Sequence, residues 1–179
     1  VTGSLNELGG YPLAFFLAAG AGALAVLILL PARETRRSPR RPSVGSIGRL
    51  VTRRDVLLPA VLAAVSQYAN WASTFGFVPI LARQLGGTDT TQSILVSMHV
   101  GMLFLGNLAA TAIVGRIGAR RLVILSFVFI LLGLGGAALV SSLPLLFVAQ
   151  FFMGLSQGIG YPVLMGMSIE HVADAERTM

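Results

Sequence analysis

Residues 91–140 read TQSILVSMHVGMLFLGNLAATAIV, then GRIGARR, then LVILSFVFILLGLGGAALV. Two uncharged runs of 24 and 19 residues flank seven residues that hold three arginines and two glycines. A hydrocarbon core of about 30 Å takes about 20 helical residues at about 1.5 Å rise each. Both runs are long enough to cross a membrane, and the turn between them sends the chain straight back.

Outward from this hairpin the pattern repeats. Uncharged runs also cover residues 11–30, 56–82 and 144–169, and all thirteen Arg and seven Asp or Glu lie outside the five runs. A water-soluble domain of 179 residues seldom combines 55% hydrophobic content with 11% charge. The expected fold is all-α, a polytopic transmembrane bundle of five spans.

The arginines fill every second connector. Residues 31–55 carry eight and residues 115–121 carry three, whereas residues 83–90 carry one beside Asp89 and residues 141–143 none. Positive charge marks the cytoplasmic side, so 31–55 and 115–121 are expected inside and residues 1–10 outside. The same rule accounts for the net charge of +6 without a nucleic-acid partner. RETRRSPRR at 33–41 has no aromatic to stack on a base, and anionic lipid headgroups suit it better. Its prolines, serines and glycines up to Gly48 read as a flexible linker. With no Cys there is no disulfide or thiol chemistry, and no cofactor or metal is expected.

The turn GRIGARR, its place between two spans and the long basic linker one hairpin earlier resemble the second half of a major facilitator superfamily (MFS) transporter. The family signature reads G-x-x-x-D-R-x-G-R-R. Arg116 and Gly118 match it, Arg120 and Arg121 supply the basic pair one place late, Thr111 stands at the first Gly and Gly115 at the Asp. Gln150-xxx-Gly154-xxx-Gly158 is similar to the family's R-x-x-x-G-x-x-x-G pattern, with Gln in place of Arg. The resemblance implies an internal piece covering helices six to ten: residues 1–30 the last helix of the N-terminal half, 31–55 the cytoplasmic linker, and 56–179 the first four helices of the C-terminal half. The ending ERTM looks like the start of the loop into helix eleven. The implied function is secondary active transport of a small solute by alternating access, with drug or metabolite efflux one form of it. The implied place is a cell membrane, such as the bacterial inner membrane. The implied gate turn is Arg116, Gly118, Arg120 and Arg121, with Gly115 lacking the signature's acidic charge.

Polar residues on the spans fall into stripes, because positions three, four and seven apart share a helix face. Gln67, Asn70, Trp71 and Thr74 form one, with Gln67 about 16 Å along from Val56 and so near the midplane. Gln150, Gly154, Gln157, Gly158 and Tyr161 form another. In the family these two helices line the central cavity, which makes Gln67, Asn70, Trp71, Thr74, Gln150, Gln157 and Tyr161 the expected solute contacts. The plainer reading is that the amides hydrogen-bond neighbouring helices, at about 0.6 kcal/mol each. Uncharged amides and aromatics suit a neutral or lipophilic solute. His99, the sole histidine or acidic or basic residue within a span, is a candidate for proton handling, and Asn107 shares its face.

Two motifs point to other classes. Gly154-Leu155-Ser156-Gln157-Gly158 matches G-x-S-x-G, the turn that presents a serine nucleophile between a strand and a helix. No strand is expected here, so G-x-x-x-G packing is the better reading, with an intramembrane serine hydrolase as the alternative. Gly133-x-Gly135-x-x-Ala138 echoes a dinucleotide fingerprint but lies inside an apolar span. A non-transporting membrane scaffold is the third possibility. The orientation is testable with single cysteines: G45C should be shielded from an impermeant thiol reagent on intact cells and S141C labelled, and the reverse pattern would invert the topology.

Overall fold

The computed structural model describes residues 2–31, 48 and 52–170. Most of the basic linker and the last residues, ERTM included, lie outside them. Among the described residues the chain is helical and has no strand: α1 (Thr2–Leu29), α2 (Arg54–Trp71), a π-helical segment (Ala72–Phe77), α3 (Val78–Gln84), α4 (Asp89–Ile117), α5 (Ala119–Ala138) and α6 (Leu143–Glu170). The fold is an all-α polytopic bundle.

Four of these helices, α1, α4, α5 and α6, are each long and apolar enough to cross a membrane. The fifth expected span, residues 56–82, is one helical run broken in its middle by the π segment. Its sequence accounts for the break. Asn70, Thr74, Val78 and Ala82 are all buried, each four residues from the last. In a regular α-helix four residues overshoot a turn by about 40°, so this row would wind off the inner face. A wider π turn takes up the drift. Pro79 favours it, having no N–H to give to Phe75, while the Val78 N–H bonds the Ser73 carbonyl five residues back. By contrast α2 continues through Pro59 and α6 through Pro162.

The turn between α4 and α5 is tighter than GRIGARR suggests. Gly118 alone separates the two helices, with φ 88°, a region that strains any residue bearing a Cβ. Arg116 therefore belongs to the last turn of α4, where a cation faces the negative end of the helix dipole. Arg120 and Arg121 open α5, and all three side chains are exposed. At the opposite end, Thr88 caps α4 through a reciprocal bond with Thr91, 3.2 Å in each direction. Arg83 there pairs with Asp89 at 3.0 Å, both exposed.

α6 is the central helix, packed against α2, α4 and α5. Its contact with α4 is made by glycines. A Cβ on Gly154 would lie 2.6 Å from the His99 carbonyl, one on Gly106 would lie 3.1 Å from the Gly158 Cα, and one on Gly158 would fall on the Leu103 carbonyl. The G-x-x-x-G reading of Gly154 and Gly158 is thus realised as backbone-to-backbone approach. Gly133 likewise lets α5 close onto Met153 of α6, which is packing and no dinucleotide loop. Apolar clusters fill the seams on either side, Val78, Ala82, Leu95, Leu146 and Met153 in one and Ala110, Leu122, Ile159 and Val163 in the other. α1 contacts α4, yet its described apolar side chains from Phe15 to Leu30 are exposed. A break at Gly10, φ 70°, precedes Pro12 and divides α1.

Gly158→Ala should lower the unfolding midpoint in detergent, by about 1–3 kcal/mol of overpacking. Gly135→Ala, whose Cβ would enter open space, should leave it unchanged or slightly raised.

Candidate functional site

Water is absent from the membrane interior, so each polar side chain there must find a partner inside the protein. The structure joins one polar side chain each of α2, the π segment and α4 with two of α6 in one largely buried chain. His99 Nε2 lies 2.8 Å from Gln157 Oε1, and Gln157 Nε2 donates to Gln67 Oε1 at 2.6 Å. On the other side of the ring, His99 Nδ1 lies 3.2 Å from Gln150 Oε1 and 3.4 Å from Thr74 Oγ1. The Thr74 hydroxyl also reaches Gln150 Oε1 at 3.4 Å. Three spans that are distant in sequence are joined at one imidazole.

Local structure puts these groups there. Gln150, Gly154 and Gln157 follow helical spacing on α6, and Gly154 brings α4 close enough for His99 to reach both amides. The π segment turns Thr74 onto the same spot. His99, Gln150 and Thr74 are essentially inaccessible, and Gln157 is buried with them. Gln67 is only half-buried and forms the outlet of the chain.

The two predicted stripes therefore divide. Gln67, Asn70 and Thr74 turn toward α4 and α6, while Trp71 is 56% exposed and stacks obliquely on Phe75 at 5.2 Å between ring centroids. Asn70 donates to the Ser66 carbonyl at 3.0 Å, leaving its Oδ1 without a partner. On α6, Gln150, Gly154, Gln157 and Gly158 are buried and Tyr161 is exposed. Asn107 shares a helix with His99 but bonds its own backbone, Nδ2 to the Leu103 carbonyl at 3.2 Å. Spacing alone assigned these residues to faces. What it missed is that the histidine face of α4 meets both stripes at once, because that depends on the tilt set by the glycine contact.

A cavity of about 540 Å³ lies toward the Gly118 end of the bundle, lined by Ala110, Thr111, Val114, Pro162, Val163 and Met167 among others. None of the expected solute-contacting residues lines it. Ser156 is buried and, among the described residues, its Oγ has no hydrogen-bond partner and no base stands beside it. His99 is committed to the glutamines. The hydrolase geometry is not assembled around this serine. Among the described residues no group of His, Asp and Glu could hold a metal.

The family model of the Major Facilitator Superfamily matches residues 60–179, about two thirds of the chain. The chain belongs to that superfamily, and it is a multi-pass membrane transporter protein. Comparison with curated proteins and with solved structures returns no match.

Removing the middle of the chain should cost more than removing its end. Gln157→Leu strips partners from both His99 and Gln67 and should lower stability in detergent by about 1–3 kcal/mol, the usual cost of orphaned buried groups. Gln67→Leu should cost less than half of that, since its neighbour keeps the histidine. Equal losses would mean that the chain is not a connected unit.

Proposed function

We propose that the protein takes part in secondary active transport of a small, neutral or lipophilic solute by alternating access. Residues 56–179 act as the first four helices of the C-terminal half, and residues 31–55 as the cytoplasmic joint to the N-terminal half ending at residue 30. Efflux of a drug-like or metabolite solute across a cell membrane, such as a bacterial inner membrane, is the form that the uncharged lining favours.

One observation carries the reading: the amide chain buried behind α2 ends on the half-buried Gln67, one helical turn from the exposed Trp71. Such an arrangement offers a solute an aromatic surface next to a fixed amide, which is how mostly apolar sites obtain orientation. Trp71, Tyr161 and Gln67 make the contacts, while Asn70, Thr74, Gln150 and Gln157 hold those contacts from behind. The inner gate is the turn at Gly118 with Arg116, Arg120 and Arg121, whose exposed guanidinium groups also meet anionic lipid. Alternating access then rocks the two halves about a midplane site. A family assignment to transport weighs against the hydrolase and scaffold readings.

The test is transport by the complete reading frame in proteoliposomes, screened against a panel of labelled neutral and lipophilic solutes. Trp71→Ala should reduce the flux of the transported solute about tenfold or more with normal insertion, and Leu131→Ala, far along the sequence on the apolar α5, should not. Absence of flux for every solute, or equal behaviour of the two variants, would overturn the assignment.

A further inference from the structure

Both ring nitrogens of His99 face amide oxygens: Gln157 Oε1 at 2.8 Å from Nε2, and Gln150 Oε1 at 3.2 Å from Nδ1. An amide oxygen only accepts, and a neutral imidazole carries one N–H. This arrangement is complete only for the doubly protonated ring. Removing a proton leaves a lone pair against an oxygen, and one glutamine must then turn its amide over.

The two glutamines are not equivalent. Gln157 Nε2 is engaged by Gln67 at 2.6 Å, so turning Gln157 also requires Gln67 to turn. Gln150 Nε2 is buried and has no partner, so turning Gln150 gives that nitrogen an acceptor at Nδ1. The inexpensive response is at Gln150. It withdraws Oε1 from the Thr74 hydroxyl, the contact by which the π segment is tied to α6.

We propose that His99 Nδ1 is a proton-binding site, and that its occupancy is relayed by Gln150 to Thr74 and so to the π segment of the α2–α3 run. The protonated ring donates from Nδ1 to Gln150 Oε1, which also accepts from Thr74. The neutral ring retains its Nε2 proton on Gln157 and accepts at Nδ1 from Gln150 Nε2, and Thr74 stops donating to Gln150 while its hydroxyl oxygen accepts from the turned amide. Protonation thus makes the Thr74 hydroxyl a donor to α6, and deprotonation reverses that bond and frees the hydroxyl proton for another acceptor. Combined with the transport reading, on which this step alone rests, the coupled ion is a proton, and the element that senses it is the bend beside Trp71.

No other described titratable group competes for this role. Around the ring, α6 presents Gln150 and Gln157 and the π segment presents Thr74. α1 carries no titratable side chain between Pro12 and Pro31, and α5 carries Arg120 and Arg121 only at its far end. On α4 itself, Asp89 and Arg116 stand ten and seventeen residues away, about 15 and 25 Å along the axis. α2 has Arg54 and Asp55 at its start and the exposed Tyr68, α3 has Arg83 beside Asp89, and α6 carries the exposed Tyr161 and ends in Glu170.

The test is ring-nitrogen NMR on the full-length protein in nanodiscs, with every other histidine, His171 included, replaced so that His99 alone carries the ring label, between about pH 5 and pH 9. Nδ1 should titrate while Nε2 stays protonated throughout, and Gln150→Leu or Thr74→Val should move the midpoint. Gln157→Leu should abolish the preference for the Nε2–H tautomer, and because the parent titration needs no variant, a poorly folded mutant does not decide the outcome. A ring that stays in one form across the range, a neutral ring protonated at Nδ1, or a midpoint indifferent to both Gln150→Leu and Thr74→Val would each overturn the proposal. The readout involves no solute, so a silent ring leaves the transport reading standing, and failed transport leaves a titrating ring standing.

Discussion

The bundle depends on one constraint, that a polar side chain surrounded by hydrocarbon has only the protein to bond with. In water, Gln67, Gln150 and Gln157 could be solvated singly and would specify nothing. Here they must converge, and the only described group able to serve two of them at once is the imidazole of His99. Convergence in turn requires α4 and α6 to touch, which three glycines allow by placing backbone on backbone. The polar chain and the glycine seam are two aspects of one contact. Neither could form without the other.

That dependence explains what was legible in the sequence. The spans, their polytopic arrangement and the superfamily were readable because charge and length act locally, residue by residue, and GRIGARR adds a register. Helix faces were readable as well, since Gln150 and Gln157 lie seven residues apart and Asn70 and Thr74 four. The π segment was not, although its cause is visible afterwards in the strict four-residue spacing up to Ala82 and in Pro79. Spacing of four fits an α-helix over one step and fails over three. The reach of His99 was hidden for another reason: a stripe tells which way a side chain points, and the partner depends on helix crossing. The tight turn is shorter than the charge pattern implies, because Arg116, Arg120 and Arg121 stay helical and still extend to the surface.

The exposed surface divides by chemistry. Lipid-type residues dominate α1 and the outer face of α5, while the α2–α3 run presents Tyr68, Trp71, Phe75 and Phe77, a row of rings with one hydroxyl and one indole N–H. Behind the upper part of that row stand Asn70 and Thr74, so the same stretch of chain has an aromatic outer side and an amide-bearing inner side. A solute path and a structural seam can therefore share one helix, with the backbone between them.

The π segment also behaves as a stored insertion. A wide turn holds one residue more than the α-helix around it, so removing a single residue between Ala72 and Phe77 would let the segment close into regular helix without shortening any loop. Everything before the cut would then keep its phase against everything after it, whereas the same deletion in regular α-helix would rotate the two sides by about 100°, the angle that one residue subtends. One residue can thus leave this stretch without changing which way Gln67 faces against Ala82, a tolerance that the regular helices on either side do not have.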